Sequence, residues 1–345
     1  MRAKHLSAAL MSICVSVLCL LMVANSAAQE TVTPEPTFTR TPDPRSTIWT
    51  PPPPRYTLRT VAAQRLPGIT FDTNGIGSIA VDSDGLLYIG DGFQTVLVYS
   101  QELAEVRRFN VQQPSDLAFA PNGQLIIGQR NQATLRAYNK FGEYLGTLWQ
   151  AQDTTLEAFT IAPDGEIAVV AAQAGPRTVV GITRLKPNGE VISNVVFGSP
   201  LSDNDAIHGI VYSPNGDLNL TVSGYGFIQP VLATYVTLNR DGEVQRGAPL
   251  PVLRDFVTPA VPTRLASGDL IIFSAQYLTW WSKDNVRLAQ VDANVFRIGF
   301  SAQQTKRRAA IAAHPDSQSM YVAEIYNDGA LAVARVELVD RLSGN

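Results

Sequence analysis

Glu157 and His208 are the two side chains best placed for shared chemistry. Each lies eight residues before the glycine that ends a Pro-Asp-Gly or Pro-Asn-Gly turn, Gly165 and Gly216. A carboxylate beside an imidazole suits general acid–base work or the binding of a divalent metal ion. The same offset from the other turns of this kind falls on Gly77, Ser115, Ala260 and Ala309, so Ser115 shares one recurring position with Glu157 and His208. Asp116, Asp203 and Asp205 neighbour that position in sequence. Lys306-Arg307-Arg308 precedes the last copy, where Arg308 could draw an anionic ligand. The competing readings are a His208 that packs without chemistry and a basic triplet that is a solvated loop.

Other constellations are excluded. Beyond His208, the only histidines are His5, near the N-terminus, and His314, which precedes a turn proline and reads as a turn residue. A Ser-His-Asp triad would need one of these, and no Gly-x-Ser-x-Gly elbow accompanies them. The run Gly75-Ile76-Gly77-Ser78-Ile79-Ala80 matches a dinucleotide fingerprint on paper. It leads into a predicted strand, however, and so lacks the helix N-terminus that would hold a pyrophosphate. Asp82-Ser83-Asp84-Gly85 begins like a calcium loop but lacks the later acidic ligands, and reads as a turn. Both cysteines, Cys14 and Cys19, fall in the first 28 residues, which leaves the remainder without disulfides, thiolate metal sites or a cysteine nucleophile. A net charge of −3 with no basic block among aromatics argues against a nucleic-acid surface. In Trp280-Trp281, strand alternation is expected to send one indole between packed layers and leave the other exposed for a carbohydrate or partner contact.

The elements that position these residues repeat. Turns of the same type end at Gly85, Gly123, Gly165 and Gly216, and weaker copies are Ala266-Ser267-Gly268 and His314-Pro315-Asp316-Ser317. Spacings of 38, 42, 51, 52 and 49 residues, each holding several short apolar runs, are those of propeller blades. A second turn recurs within the units, at Asn139–Gly142, Lys186–Gly189 and Asn239–Gly242, which makes four strands per unit. Six inner strands therefore predict six blades in an all-β fold. The last unit has an inner strand near Ala309–Ala313, a second at Met320–Glu324 and a third at Leu331–Leu338, with no room for a fourth. The orphan run Thr57–Leu66 is expected to supply it and close the ring.

The N-terminal stretch suggests export. Arg2 and Lys4 precede an apolar run over Ala8–Ala24, and Ser26-Ala27-Ala28 offers small residues for cleavage before Gln29. Residues 1–28 thus read as a signal peptide, with an uncleaved anchor as the alternative. Residues 29–55, rich in Pro and Thr and including Pro51–Pro54, read as an extended linker: a stalk, open to O-glycosylation, or an inert tether. Residues 56–345 are the propeller.

The run Leu86-Leu-Tyr-Ile-Gly-Asp-Gly-Phe-Gln-Thr-Val-Leu-Val-Tyr99 and its partial copy Leu125–Tyr138, in which Gln129 replaces the aspartate, resemble the NHL-repeat group of six-bladed, TolB-like propellers. The likeness is carried by residues 75–150. It implies a fold whose ligands usually sit at the mouth of the central channel, and no single activity, since such propellers serve as binders, lyases and lactonases. The expectation is an exported, monomeric, non-catalytic module without a cofactor. It would bind an extracellular protein or a small molecule through Ser115, Asp116, Glu157, Asp205, His208 and Arg308. The alternative is a metal-assisted lyase or lactone hydrolase at the channel mouth, with Glu157 and His208 as its catalytic candidates and a divalent metal ion as its cofactor.

Overall fold

Six four-stranded antiparallel sheets stand around a central channel, each with its strands in the order inner, second, third, outer. The computed structural model describes residues 56–66, 78–173, 179–197, 205–224, 233–246, 260–274, 277–284, 286–292, 306–326 and 331–340. The expected signal and linker, Asp203 and the first residues of the Gly75 fingerprint lie outside them. The inner strands are Ile79–Val81, Asp116–Phe119, Thr154–Ile161, Asp205–Tyr212, Ala260–Arg264 and Lys306–Ala313, and they neighbour one another in a closed circle. The protein is a six-bladed β-propeller.

One turn geometry repeats in every blade. In blade two the Ala120 amide bonds to Gln124 and the Gly123 amide returns to Ala120, at 2.9 Å each, and the same pair of bonds closes blades one, three, four and five. The turn glycines hold φ between 81° and 89°, a region an L side chain rarely enters. Blade six accomplishes the turn with one more residue, spanning His314 to Ser319, and places Ser317 at φ 56°.

Blade six is closed by the N-terminal strand. Tyr56–Leu66 pairs antiparallel with Leu331–Asp340, from Tyr56 opposite Asp340 to Leu66 opposite Leu331. Two short sheet edges become one continuous sheet, which removes the exposed ladder that an incomplete blade would present. The inner strand of blade six is longer than expected. Its partner, Ser319–Tyr326, extends far enough to pair Arg308 with Ile325 and Lys306 with Tyr326, so the basic triplet belongs to the strand and not to a loop before it.

The core lies between the blades. Strand alternation sends Leu125 and Ile127 of blade two towards blade one, against Tyr88, Val96 and Val98, and Ile126 towards blade three, against Phe159, Ile167 and Val169. Because both faces are covered, second strands such as Leu125–Gln129 and Leu270–Ser274 are apolar over most of their length and fully buried. Burial extends to both indoles of the Trp280-Trp281 pair, at 1% and 3% exposure. The expected exposed tryptophan is therefore absent: opposite faces of this strand both meet protein. Trp280 donates its Nε1–H to Asp269 at 3.2 Å.

The outer turns of blades two, three and four press against the blade before them. A Cβ added at Gly142, Gly189 or Gly242 would meet Phe109, the Leu148 carbonyl or Val195 respectively, each on the preceding blade's outer strand. Polar bonds reinforce the seams. Tyr88 donates to Asp82 at 3.1 Å and accepts from Arg107 at 2.6 Å, while Arg107 also reaches the Lys140 carbonyl of blade two at 2.9 Å. Between blades three and four, Tyr212 and Arg184 both donate to Glu166, at 2.8 and 3.0 Å. Burial raises the phenols of Tyr88 and Tyr212 above the ordinary range, helped by the adjacent carboxylates, so both remain neutral donors.

Candidate functional site

The six inner strands enclose a channel of about 570 Å³, within the range of small-molecule sites. Its wall is apolar over most of the circle, with Ile79, Ala118, Ile161, Ile210, Val261 and Ile311 each drawn from a different blade. Ser115, Asp116, Arg130 and Glu157 form a polar sector on blades two and three.

Glu157 reaches the channel because its strand is bulged. Pairing between Thr154–Ile161 and Ile167–Gln173 shifts register between Leu156 and Ala158, leaving Glu157 as the extra residue. A bulge re-aims a side chain out of the strict alternation of a strand. Its Oε2 accepts from Arg130 Nη2 at 2.8 Å, and its Oε1 accepts from the Thr155 hydroxyl at 3.0 Å. The two ion-pair side chains retain 30% and 21% of their exposure, so the pair faces the channel without being sealed from it.

His208 occupies the same place in blade four. The register of Asp205–Tyr212 against Leu218–Gly224 shifts between Ile207 and Gly209, as it does around Glu157. Asp205 opens that strand opposite Gly224, and Arg308 lies beside a third shift, between Lys306 and Arg308. The side chains of Asp205, His208 and Arg308 lie outside the described residues.

Ser115 is committed to the fold. Buried at 7% exposure, its hydroxyl donates to the Gly128 carbonyl at 2.8 Å and accepts from the Arg130 amide at 2.9 Å. Asp116 is tied to three adjacent blades. Its Oδ1 accepts from the Leu117 amide at 3.0 Å and its Oδ2 from the Phe159 amide of blade three at 3.1 Å, while the Ser78 hydroxyl of blade one also bonds to it. Burial pushes this carboxyl up to about 6, against those hydrogen bonds, which favour its charged form.

Arg130 is the residue that turn spacing does not reveal. In blade one, Asp91 Oδ1 accepts the amides of Phe93, Gln94 and Thr95 at 2.8–2.9 Å and so folds the loop after the second strand. Blade two has Gln129 in that place, and its amide donates instead to the Gln112 carbonyl. Without the carboxylate cap the loop becomes a single 3₁₀ turn, Arg130–Gln132, ended by Ala133 at φ 42°. Arg130 leads that turn and meets Glu157. The replacement of the aspartate by Gln129 is the one signal in the sequence that marks it.

The other motifs are structural. Asp82 Oδ1 accepts the amides of Asp84 and Leu86, at 3.0 and 2.9 Å, and so caps its own turn. His314 is buried in its turn with Nδ1 3.0 Å from Asp316, and its ring packs over Gly85 of blade one. Among the described residues no three His, Cys, Asp or Glu side chains gather as a metal site. Glu157 is engaged by a guanidinium and a hydroxyl, and Asp116 by amides and a hydroxyl. Neither carboxylate is set as a ligand for a shared ion.

No protein-family model and no curated protein matches the chain. Several solved structures share its architecture. A candidate gluconolactonase aligns with a TM-score of 0.53 at 17% identity, over 81% of this chain and 98% of its own. A catalytically inactive variant of virginiamycin B lyase from Staphylococcus aureus, solved with quinupristin, gives 0.51 at 13%, over 82% and 100%. A gluconolactonase from Xanthomonas campestris gives 0.50 at 17%, over 83% and 95%. At these identities the shared property is the fold, and the chain has the six-bladed propeller architecture of these proteins.

Proposed function

We propose that this chain is an exported, non-catalytic propeller that binds a small molecule in its central channel. The observation that carries the reading is the state of the polar sector. Ser115, Asp116 and Glu157 are each held by other groups of the fold, and the Ser115 hydroxyl donates to a backbone carbonyl and not to a base that could activate it. Such fixed donors and acceptors, set in an apolar wall, suit recognition. Residues 1–28 and 29–55 would export the propeller and carry it on a stalk, and His208, Asp205 and Arg308 would extend the sector into blades four and six. The Asp91 cap supports kinship with NHL-type repeats, with blade two a diverged copy. A lyase or lactonase reading draws on one observation, the near-neutral titration of Asp116, which suits a general base. The three hydrogen bonds that fix that carboxyl in the wall weigh against it.

Nile red, a neutral dye that brightens in apolar cavities, tests the channel. The full chain should give saturable brightening at one site, lost when Ala118→Trp fills the channel. Brightening that survives Ala118→Trp would place the dye elsewhere and overturn the reading. Steady turnover of a lactone by the full chain, abolished by Asp116→Asn, would establish an enzyme in its place.

A further inference from the structure

The charges along the channel do not cancel evenly. Arg130 and Glu157 neutralise each other across 2.8 Å. Arg264, in the wall of blade five, donates to the Gly268 carbonyl of its own turn at 2.7 Å. No charged group bonds to Asp116 among the described residues. Its bonded partners among the described residues are the Leu117 and Phe159 amides and the Ser78 hydroxyl, all neutral. Neutral donors stabilise a carboxylate but do not cancel its charge, and burial raises the titration of Asp116 against them. Much of the channel lining is Leu, Ile, Val, Ala and Phe, which bind apolar surface.

We propose that the channel selects amphipathic organic cations, with an ammonium group set against Asp116 and an apolar body lying along the aliphatic wall. This inference rests on the channel being a binding site. A positive headgroup would complement this carboxylate, while the ligand body gains from removal of its apolar surface from water. A neutral ligand gains only the second contribution, and an anion meets repulsion from Asp116. Among the described residues, the other charged groups near this point are Arg130 on the 3₁₀ turn and Glu157 on the blade-three strand, which are bonded to each other and leave this preference to Asp116.

The probe series is 4-phenylbutylammonium, 4-phenylbutan-1-ol and 4-phenylbutanoate, which share one body and differ in head charge. Calorimetric titration of the full chain at pH 7.5 should show the ammonium binding at least about tenfold tighter than the alcohol, with the carboxylate weakest. Lowering the pH from 7 to 5 protonates Asp116 and should weaken the ammonium about tenfold while leaving the alcohol unchanged. Asp116→Asn should bring the ammonium down to the affinity of the alcohol. If that variant does not fold, the head-charge series and pH profile of the unaltered chain decide the matter. Equal binding of ammonium and alcohol, or ammonium binding that does not change between pH 7 and 5, overturns the inference and leaves a channel binder of other specificity. Failure of all three probes to bind contradicts the channel reading itself.

Discussion

Asp116 spans three blades with one carboxyl group, and its titration makes a stability prediction. Its folded value, about 6, lies above the value near 4 expected in the unfolded chain. The folded state therefore holds the extra proton between those values, and stability from this group is present below pH 4 and is lost as pH rises through 6. The loss is about 3 kcal/mol. Asp116→Asn should then be more stable relative to the unaltered chain at pH 7.5 than at pH 4.5, as read by urea unfolding at both values. The reverse ordering would mean that the amide and hydroxyl bonds outweigh burial. Arg130 and Glu157 make a different case. Their pair retains partial exposure, so Arg130→Met should cost about 1 kcal/mol or less and leave the fold intact.

The turns that define the blades are legible in the sequence, because each needs a residue that tolerates positive φ and each is followed by an apolar run. The degraded copies obey the same rule: Gly268 holds φ 89° and Ser317 holds 56°. What surrounds each turn is not legible. Gly123 and Gly189 are both turn glycines with φ of 82° and 88°, yet a Cβ at Gly123 meets nothing within 4 Å, whereas one at Gly189 would overlap the Leu148 carbonyl oxygen. Gly123→Ala should cost about 1 kcal/mol, the penalty of the backbone conformation alone. Gly189→Ala should cost more than about 3 kcal/mol, because a backbone atom of the preceding blade must also move. Chemical denaturation of the two variants separates these contributions, and equal costs would contradict the seam between blades two and three. The site shows the same limit. Alignment on the turns brings Glu157 and His208 to one position, and both fall at a bulge. The Arg130–Glu157 pair stays hidden because it joins a loop of one blade to a strand of the next, a relation that no period along the chain encodes. The burial of Trp281 is hidden for a similar reason, since alternation says which face a side chain takes and not whether that face is covered.

The propeller is a ring, and its integrity depends on one strand from the far end of the chain. A chain beginning at Tyr56 should melt with the same cooperativity as the full chain. One beginning after Leu66 leaves Leu331–Asp340 as an open apolar edge and should lose its sharp transition, aggregate, or both. Differential scanning calorimetry of the two would show it, and equal transitions would mean that blade six is stable with three strands. Arg59 and Glu337 join across the closure at 3.0 Å, but Arg59 is 65% exposed, so Arg59→Ala should barely move the transition. Closure also shapes the channel in which the ligand is proposed to bind. The chain has no cysteine beyond Cys19, so Ala118→Cys places a single reporter in the channel wall, and its maleimide labelling can be read by peptide mapping. Saturating 4-phenylbutylammonium should slow labelling at position 118 at least about tenfold, with a concentration dependence matching the calorimetric affinity. Binding by calorimetry with unchanged labelling at position 118 would put the ligand outside the channel and contradict the proposed function.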